Sequence, residues 1–236
     1  MAQSVGNAKN ILVGASPLFL STFDINDSDY IANAEAGVAI TAGATTVGVP
    51  AFVSGASYAT TLNNVNQTAG LFGYRNVGFT NNGLQITYNP TFDSVTVDQL
   101  LDTAKLFKSA MEVMIATEMS EGTLENIVTV FGQSSSTLSA VTGTGATAKQ
   151  ELGLAAGSLG AAPTERQLIA VGQAPTAGST SSERVYYARR VLSVQQSQHS
   201  LARTTATTFP VTFRLLPDAN YSGSEYGKII DRVLVA

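Results

Sequence analysis

The chain has 236 residues, 13% of them charged and 44% hydrophobic, with a formal net charge of −4 and no cysteine. Disulfides, thiolate nucleophiles and cysteine-based zinc sites are therefore excluded, and no apolar run approaches the ~18–20 residues of a membrane helix. The thirteen Lys and Arg residues are scattered, with Arg189-Arg190 the one adjacent pair, which argues against a phosphate-reading nucleic-acid binder.

The length allows one large domain or two small ones, and a single domain spanning 1–236 is expected. Charge is about half the ~25% of an ordinary soluble domain. Either the chain is poorly soluble alone, or much of its surface meets copies of itself or a partner, which is the reading preferred here. Only Lys9 precedes the first apolar patch, so a secretory signal peptide is not expected.

In chain order, 11–21 reads as a strand interrupted at Pro17, hence edge or bulged. Asp24, Asn26, Ser28 and Glu35 fall at calcium-loop positions, but Asp29 stands where such a loop turns on glycine, so 24–35 reads as an acidic surface turn. The Gly/Ala/Thr-rich region 37–73 is expected to be a projecting hairpin or an insertion packed on a neighbour. Asn81-Asn82-Gly83 between alternating runs predicts a type I′ hairpin, with Leu84, Ile86 and Tyr88 on one side and Gln85 and Thr87 on the other. A strand theme continues beyond Pro90, while 100–107 fits a helical turn or an extended passage equally.

Residues 111–119 alternate clearly. Met111, Val113, Ile115, Thr117 and Met119 share one face; Glu112, Met114, Ala116 and Glu118 share the other. A short helix over about 121–131 is predicted next, with Ser120 as N-cap, Gly132 as stop, and Leu124, Ile127, Val128 and Phe131 as the apolar stripe packing on the core. The small-residue stretch 133–163 reads as a long loop with a short helical segment near 149–154. Strand chemistry returns at 166–172, 183–194, 209–218 and in the tail, where Ile229 or Ile230 and Val233 are expected to be buried.

Two fragments imitate enzyme motifs. The run 143–148, with Gly143 and Gly145, matches a dinucleotide fingerprint, with Glu165 near the place of a ribose-binding acid; its polar, short preceding segment favours a plain loop. Ser158 in an elbow-like context would need His199, the single histidine, and an orienting acid from Glu165 or Glu183, and neither partner is supported. No catalytic, cofactor or metal site is expected.

Four pieces then carry a resemblance: "ILVGASPLFLS"; "YRNVGFTNNGLQITYNPTFDSVTVDQLLDTAKLFK"; "MIATEMSEGTLENIVTVFGQ"; and "VTFRLLPDANYSGSEYGKIIDR". Their order, the junction Thr117, Glu121, Thr123, Leu124, Glu125, Asn126, and the late Leu216-Pro217-Asp218 resemble the tail tube (major tail) proteins of long-tailed bacteriophages. They cover about half of the chain; 24–73 and 133–163 have no counterpart. The resemblance implies a mainly β, sandwich or barrel-like fold with one flanking helix. It further implies stacked hexameric rings forming a hollow tube for the genome, in a virion assembled in the host cytoplasm. Implied partners are the chain itself and the tape-measure, tail terminator and distal tail proteins; viral DNA passes without specific binding, no membrane takes part, and no cofactor or enzyme activity is expected. A tube subunit of a contractile injection apparatus is the structural alternative, and a dinucleotide-binding enzyme using 143–148 the alternative of another class.

Glu112 and Glu118 are the residues expected to face the lumen. Carboxylates repel phosphate at close range, because screening decays over about 8 Å at physiological salt. Six copies would place about a dozen such charges on each ring by symmetry.

Overall fold

The structure is a computed structural model that describes residues 16–21, 52–67, 74–96, 102–156, 159–160, 162–175, 182–194, 198–199 and 206–234. The chain is mainly β. Its elements are β1 (Leu18–Ser21), α1 (Tyr58–Gln67), β2 (Tyr74–Asn76), β3 (Thr80–Thr96), β4 (Thr103–Met119), α2 (Leu124–Val130), β5 (Arg166–Gln173), β6 (Ser182–Ser193), β7 (Phe209–Leu215) and β8 (Gly227–Val233). Among the described residues the eight strands form one antiparallel sheet, ordered β2-β1-β5-β6-β7-β4-β3, with β8 pairing β6.

The sheet's two end strands follow each other directly in the chain. β2 and β3 are the outermost strands of that order, yet only residues 77–79 join them in sequence. So short a link spans roughly 14 Å at full stretch, so the adjoining ends of these two strands lie close together. One face of β1, β4, β5, β6 and β7 accordingly merges into a single interior, where Leu20, Leu168, Val191, Phe213, Ile115 and Met119 pack together. β1 and β5 are buried on both faces, because Phe19, Ile169 and Val171 look outward into a second cluster with Val185 and Tyr187. Tyr58 and Leu62 of α1 cover that cluster.

Several expectations are corrected. β1 begins just after Pro17 and is paired on both sides, so it is an inner strand rather than an edge; residues 11–15 lie outside the description. Asn82 and Gly83 do take positive φ, 59° and 67°, as a type I′ turn requires. They do not reverse the chain, however: β3 pairs with β4 on both sides of them, jumping from Asn81↔Glu118 to Gln85↔Ala116. The left-handed pair builds a bulge, and the long alternating run of β4 keeps the strand in place.

The described part of 37–73 contains α1 rather than a hairpin, and the remainder lies outside the described residues. "YATTLNNVNQ" is poor in strong helix formers. The helix is held instead by burial of Tyr58 and Leu62 and by Glu183, whose carboxylate accepts the Tyr58 backbone N–H at 2.9 Å and the Ser57 hydroxyl at 2.8 Å. Residues 149–154 are not helical. Thr142↔Lys149 and Leu138↔Leu152 are antiparallel bridges that fold 138–152 back on itself.

Candidate functional site

Two surfaces stand out, and both are built from β3 and β4. Paired residues of an antiparallel ladder point to the same side, so the register assigns every side chain to a face. Ile86, Tyr88 and Pro90 share the interior side with Ile115, Val113 and Met111. β7 pairs with β4 only from Met114 to Met119, so beyond Val113 the β3–β4 pair continues as a two-stranded arm to its last pair, Thr96↔Thr103.

That arm is apolar yet uncovered. Leu106 is 64% exposed, Phe92 57% and Phe107 46%, with Val95 and Tyr88 also open. Phe92 pairs with Lys108 and Ser94 with Leu106 on one side, while Asp93 pairs with Phe107 and Val95 with Lys105 on the other, so both faces carry large apolar groups. Lys108 Nζ lies 5.9 Å from the Tyr88 ring centre, which shields part of one face. At the arm's root an open groove of about 300 Å³ separates it from β8; Ile86, Tyr88, Val113, Tyr186, Tyr226 and Ile229 line it. Ile229 is exposed there while Ile230 packs on the α1 cluster, and Val233 is exposed rather than buried as expected.

The second surface is the outward face of β4. Glu112 and Glu118 lie on it together, as the alternation predicts, with Thr212 and Arg214 of β7 beside them. The acidity is tempered. Arg214 Nη1 stands 3.6 Å from Glu112 Oε1, and Asn81 Nδ2 donates to Glu118 Oε2 at 3.2 Å.

α2 closes the seam between β2 and β3. Its N-cap is Thr123, whose hydroxyl accepts the Asn126 N–H, rather than Ser120, whose own N–H goes to Phe79 O at 2.8 Å. Gly132 stops it as predicted: with φ at 64°, its N–H reaches Thr129 O while Gln133 N–H reaches Val128 O, the paired bonds of a Schellman end. The predicted stripe holds in part. Val128 is buried, Ile127 packs partly against the core and Leu124 is half-buried, but Phe131 is 40% exposed and Val130 takes its place in the interior. A helix enclosed by both the sheet and the 133–155 segment buries more than one stripe, so Asn126 and Thr129 are buried too.

Asn126 enters the sequence reading only as part of the junction, with no role attached to it. It donates to Val77 O at 3.0 Å and Glu121 O at 2.8 Å and accepts from Arg75 Nη1, binding helix, β2 and the 77–79 link into one knot. Glu121 completes the knot by accepting the Phe79 N–H at 3.0 Å.

The 143–148 fragment is not built as a dinucleotide site. Residues 143–148 form a tight turn inside the Thr142↔Lys149 bridge, with a three-residue 3-10 turn where a dinucleotide site needs a helix and an antiparallel bridge where it needs a parallel strand. Glu165 is buried and bonded to Arg190 at 2.6 and 2.9 Å. His199 stacks 4.7 Å from Phe209, Glu183 caps α1, and Ser158 lies outside the described residues, as does the acidic turn at 24–35. Among the described residues no group of three or more His, Asp or Glu side chains is placed to hold a metal, and no helix is long and apolar enough to cross a membrane.

No protein-family model matches the chain, and no curated protein matches it either.

Proposed function

We propose that this chain is a structural subunit that assembles with copies of itself into stacked hexameric rings, forming the hollow tail tube through which a phage genome passes. The observation that carries the reading is the β3–β4 arm. A two-stranded ribbon is at best marginally stable in water, and this one holds apolar side chains on both faces. It also leaves the β4 edge unpaired by β7 from Thr103 to Val113. Such an edge invites strand pairing, and ring closure satisfies it without open-ended aggregation.

In this reading the outward face of β4 lines the channel. Arg214 offsets one of the two carboxylates in each subunit, so a six-fold ring presents about six net negative charges rather than a dozen. That sign still disfavours phosphate adhesion, and the wall lets DNA slide. Tape-measure, terminator and distal tail proteins are the partners that the same reading implies.

Electron microscopy of concentrated purified protein tests it directly. Hollow tubes of uniform diameter with six-fold cross-sections are expected, whereas a monodisperse monomer at every concentration, with and without preformed tube ends as seeds, overturns the proposal.

A further inference from the structure

Asn82-Gly83 is the one Asn-Gly step in the chain, and the fold does not use it to reverse direction. Both residues are exposed and both have positive φ. The ladder register passes over them, from Asn81↔Glu118 to Gln85↔Ala116. A Cβ added to Gly83 would meet nothing within 4 Å, so the space beside its backbone is open. The step lines a cleft of about 150 Å³ on the outward face of β4, together with Gln85, Ala116, Glu118 and Thr212.

These features meet the requirements of one reaction. The Gly83 backbone nitrogen attacks Cγ of the Asn82 amide and gives up its proton, and Nδ2 leaves as ammonia. The five-membered imide so formed takes up one water and opens to aspartate or isoaspartate. Water, which the cleft admits, is the sole co-reactant, and nothing is oxidised or reduced. Glycine favours the attack because no Cβ hinders its nitrogen and its backbone reaches conformations closed to other residues. Regular pairing would hold that backbone extended, whereas the bulge takes 82–84 out of the register. Two other asparagines of β3 serve as internal controls. Asn81 stays paired with Glu118 and precedes a residue that has a Cβ, and Asn89 precedes Pro90, which has no N–H to give up.

We propose that Asn82-Gly83 is a site of spontaneous deamidation in the folded chain, converting Asn82 to aspartate or isoaspartate and adding one carboxylate beside Glu118. The inference goes beyond the assembly reading and does not depend on it, since the step lies within a single chain.

The test is to age the purified full chain at neutral and mildly alkaline pH, folded in buffer and unfolded in guanidinium chloride. Isoelectric focusing and peptide mapping by mass spectrometry follow the products. One new acidic species is expected, converted at residue 82 and not at Asn81 or Asn89, and forming faster at the higher pH. Its rate in the folded chain should lie within about tenfold of the unfolded one, because exposed backbone opens at little cost. Gly83→Ala should slow the conversion by about tenfold or more, since a Cβ then flanks the attacking nitrogen. Asn82→Gln, whose longer side chain must close a six-membered ring, should show no acidic species over the same period. If circular dichroism finds Gly83→Ala misfolded, Asn82→Gln and the peptide map decide. Conversion more than about tenfold slower in the folded chain than in the unfolded one overturns the proposal, since the fold then protects the step. So does equal conversion at Asn81, or an acidic species undiminished in Asn82→Gln.

Discussion

Gly78 sits where three requirements coincide. Its φ is +83°, it lies in the link between the sheet's two ends, and a Cβ there would stand 2.1 Å from the Glu121 carboxyl carbon. Gly78→Ala should therefore cost about 2–3 kcal/mol, combining left-handed strain with loss of the Glu121 bond to Phe79. Gly83→Ala, at φ +67° with open space around it, should cost only about 1–2 kcal/mol. Thermal unfolding of both variants checks the order, and a smaller loss for Gly78→Ala would mean that the link is not clamped. Asn126→Leu removes every side-chain bond of a fully buried amide and should destabilise by about 3 kcal/mol or more, read from urea midpoints. Neither role follows from local pattern: an asparagine in a short helix reads as a weak helix former, and Gly78 falls inside the alternating run that precedes Asn81. On the outer surface, Arg184 donates to Asp231 at 2.7 Å through Nη2 and holds its carboxyl below the usual carboxylate range. A depressed folded pKa means that the pair's contribution is complete above the unfolded value of ~3.9 and fades as pH falls through the folded one. Asp231→Asn should thus lower Tm by about 1–3 °C at neutral pH, the scale of an exposed pair, and the gap should close near pH 2. A gap equal at both pH values would assign the effect to packing instead.

At the scale of elements, the arm separates folding from assembly. Phe92 and Leu106 are largely solvated in the single chain, so replacing both with Ser should leave its melting temperature within about 1–2 °C of the parent. The same pair should abolish tube formation if the arm is the contact that the proposed function requires. Scoring fibre length by electron microscopy beside melting curves distinguishes the two effects; normal tubes from the double variant would remove the arm from the interface. Strands with clean alternation were readable from sequence because one face is buried and the other is not, as along 111–119. The arm was not, since 103–110 has neither face covered within the chain and alternation has nothing to report. α1 escaped for the opposite reason: the cluster that holds Tyr58 and Leu62 includes Ile169, Val185 and Tyr187, more than a hundred residues away in sequence, while the local Thr and Asn content argues against a helix. The bulge at Asn82-Gly83 shows local conformation read correctly and chain direction read wrongly, because positive φ serves either outcome.

For the whole molecule, the strand order decides where a neighbour can be added. Among the described residues, α2 and the 77–79 link occupy the seam, while the arm and the β8 border offer edges for growth by strand pairing. In the tubes that the proposed function requires, the charge of the β4 face should govern how DNA behaves inside. Glu118→Lys changes the local sum of Glu112, residue 118 and Arg214 from net negative to net positive. Tubes of that variant should hold duplex DNA at low salt and release it steeply as salt rises, whereas parental tubes should not retain it, as co-sedimentation can show. Equal retention by both would place this face away from the channel. The mainly β class was legible from alternation alone, but the strand order was not, because nothing local announces that β1 pairs with β5 or β4 with β7.

The same wiring sets a timetable for biosynthesis. Leu20 meets Leu168 across the ladder, so the first strand has no β5 to join until most of the polypeptide has left the ribosome. At ordinary translation speeds that delay is roughly 10–30 s. During that interval an apolar N-terminal segment stays open to chaperones and to mispairing, and the yield of competent subunits should rise when elongation through the middle of the message is fast.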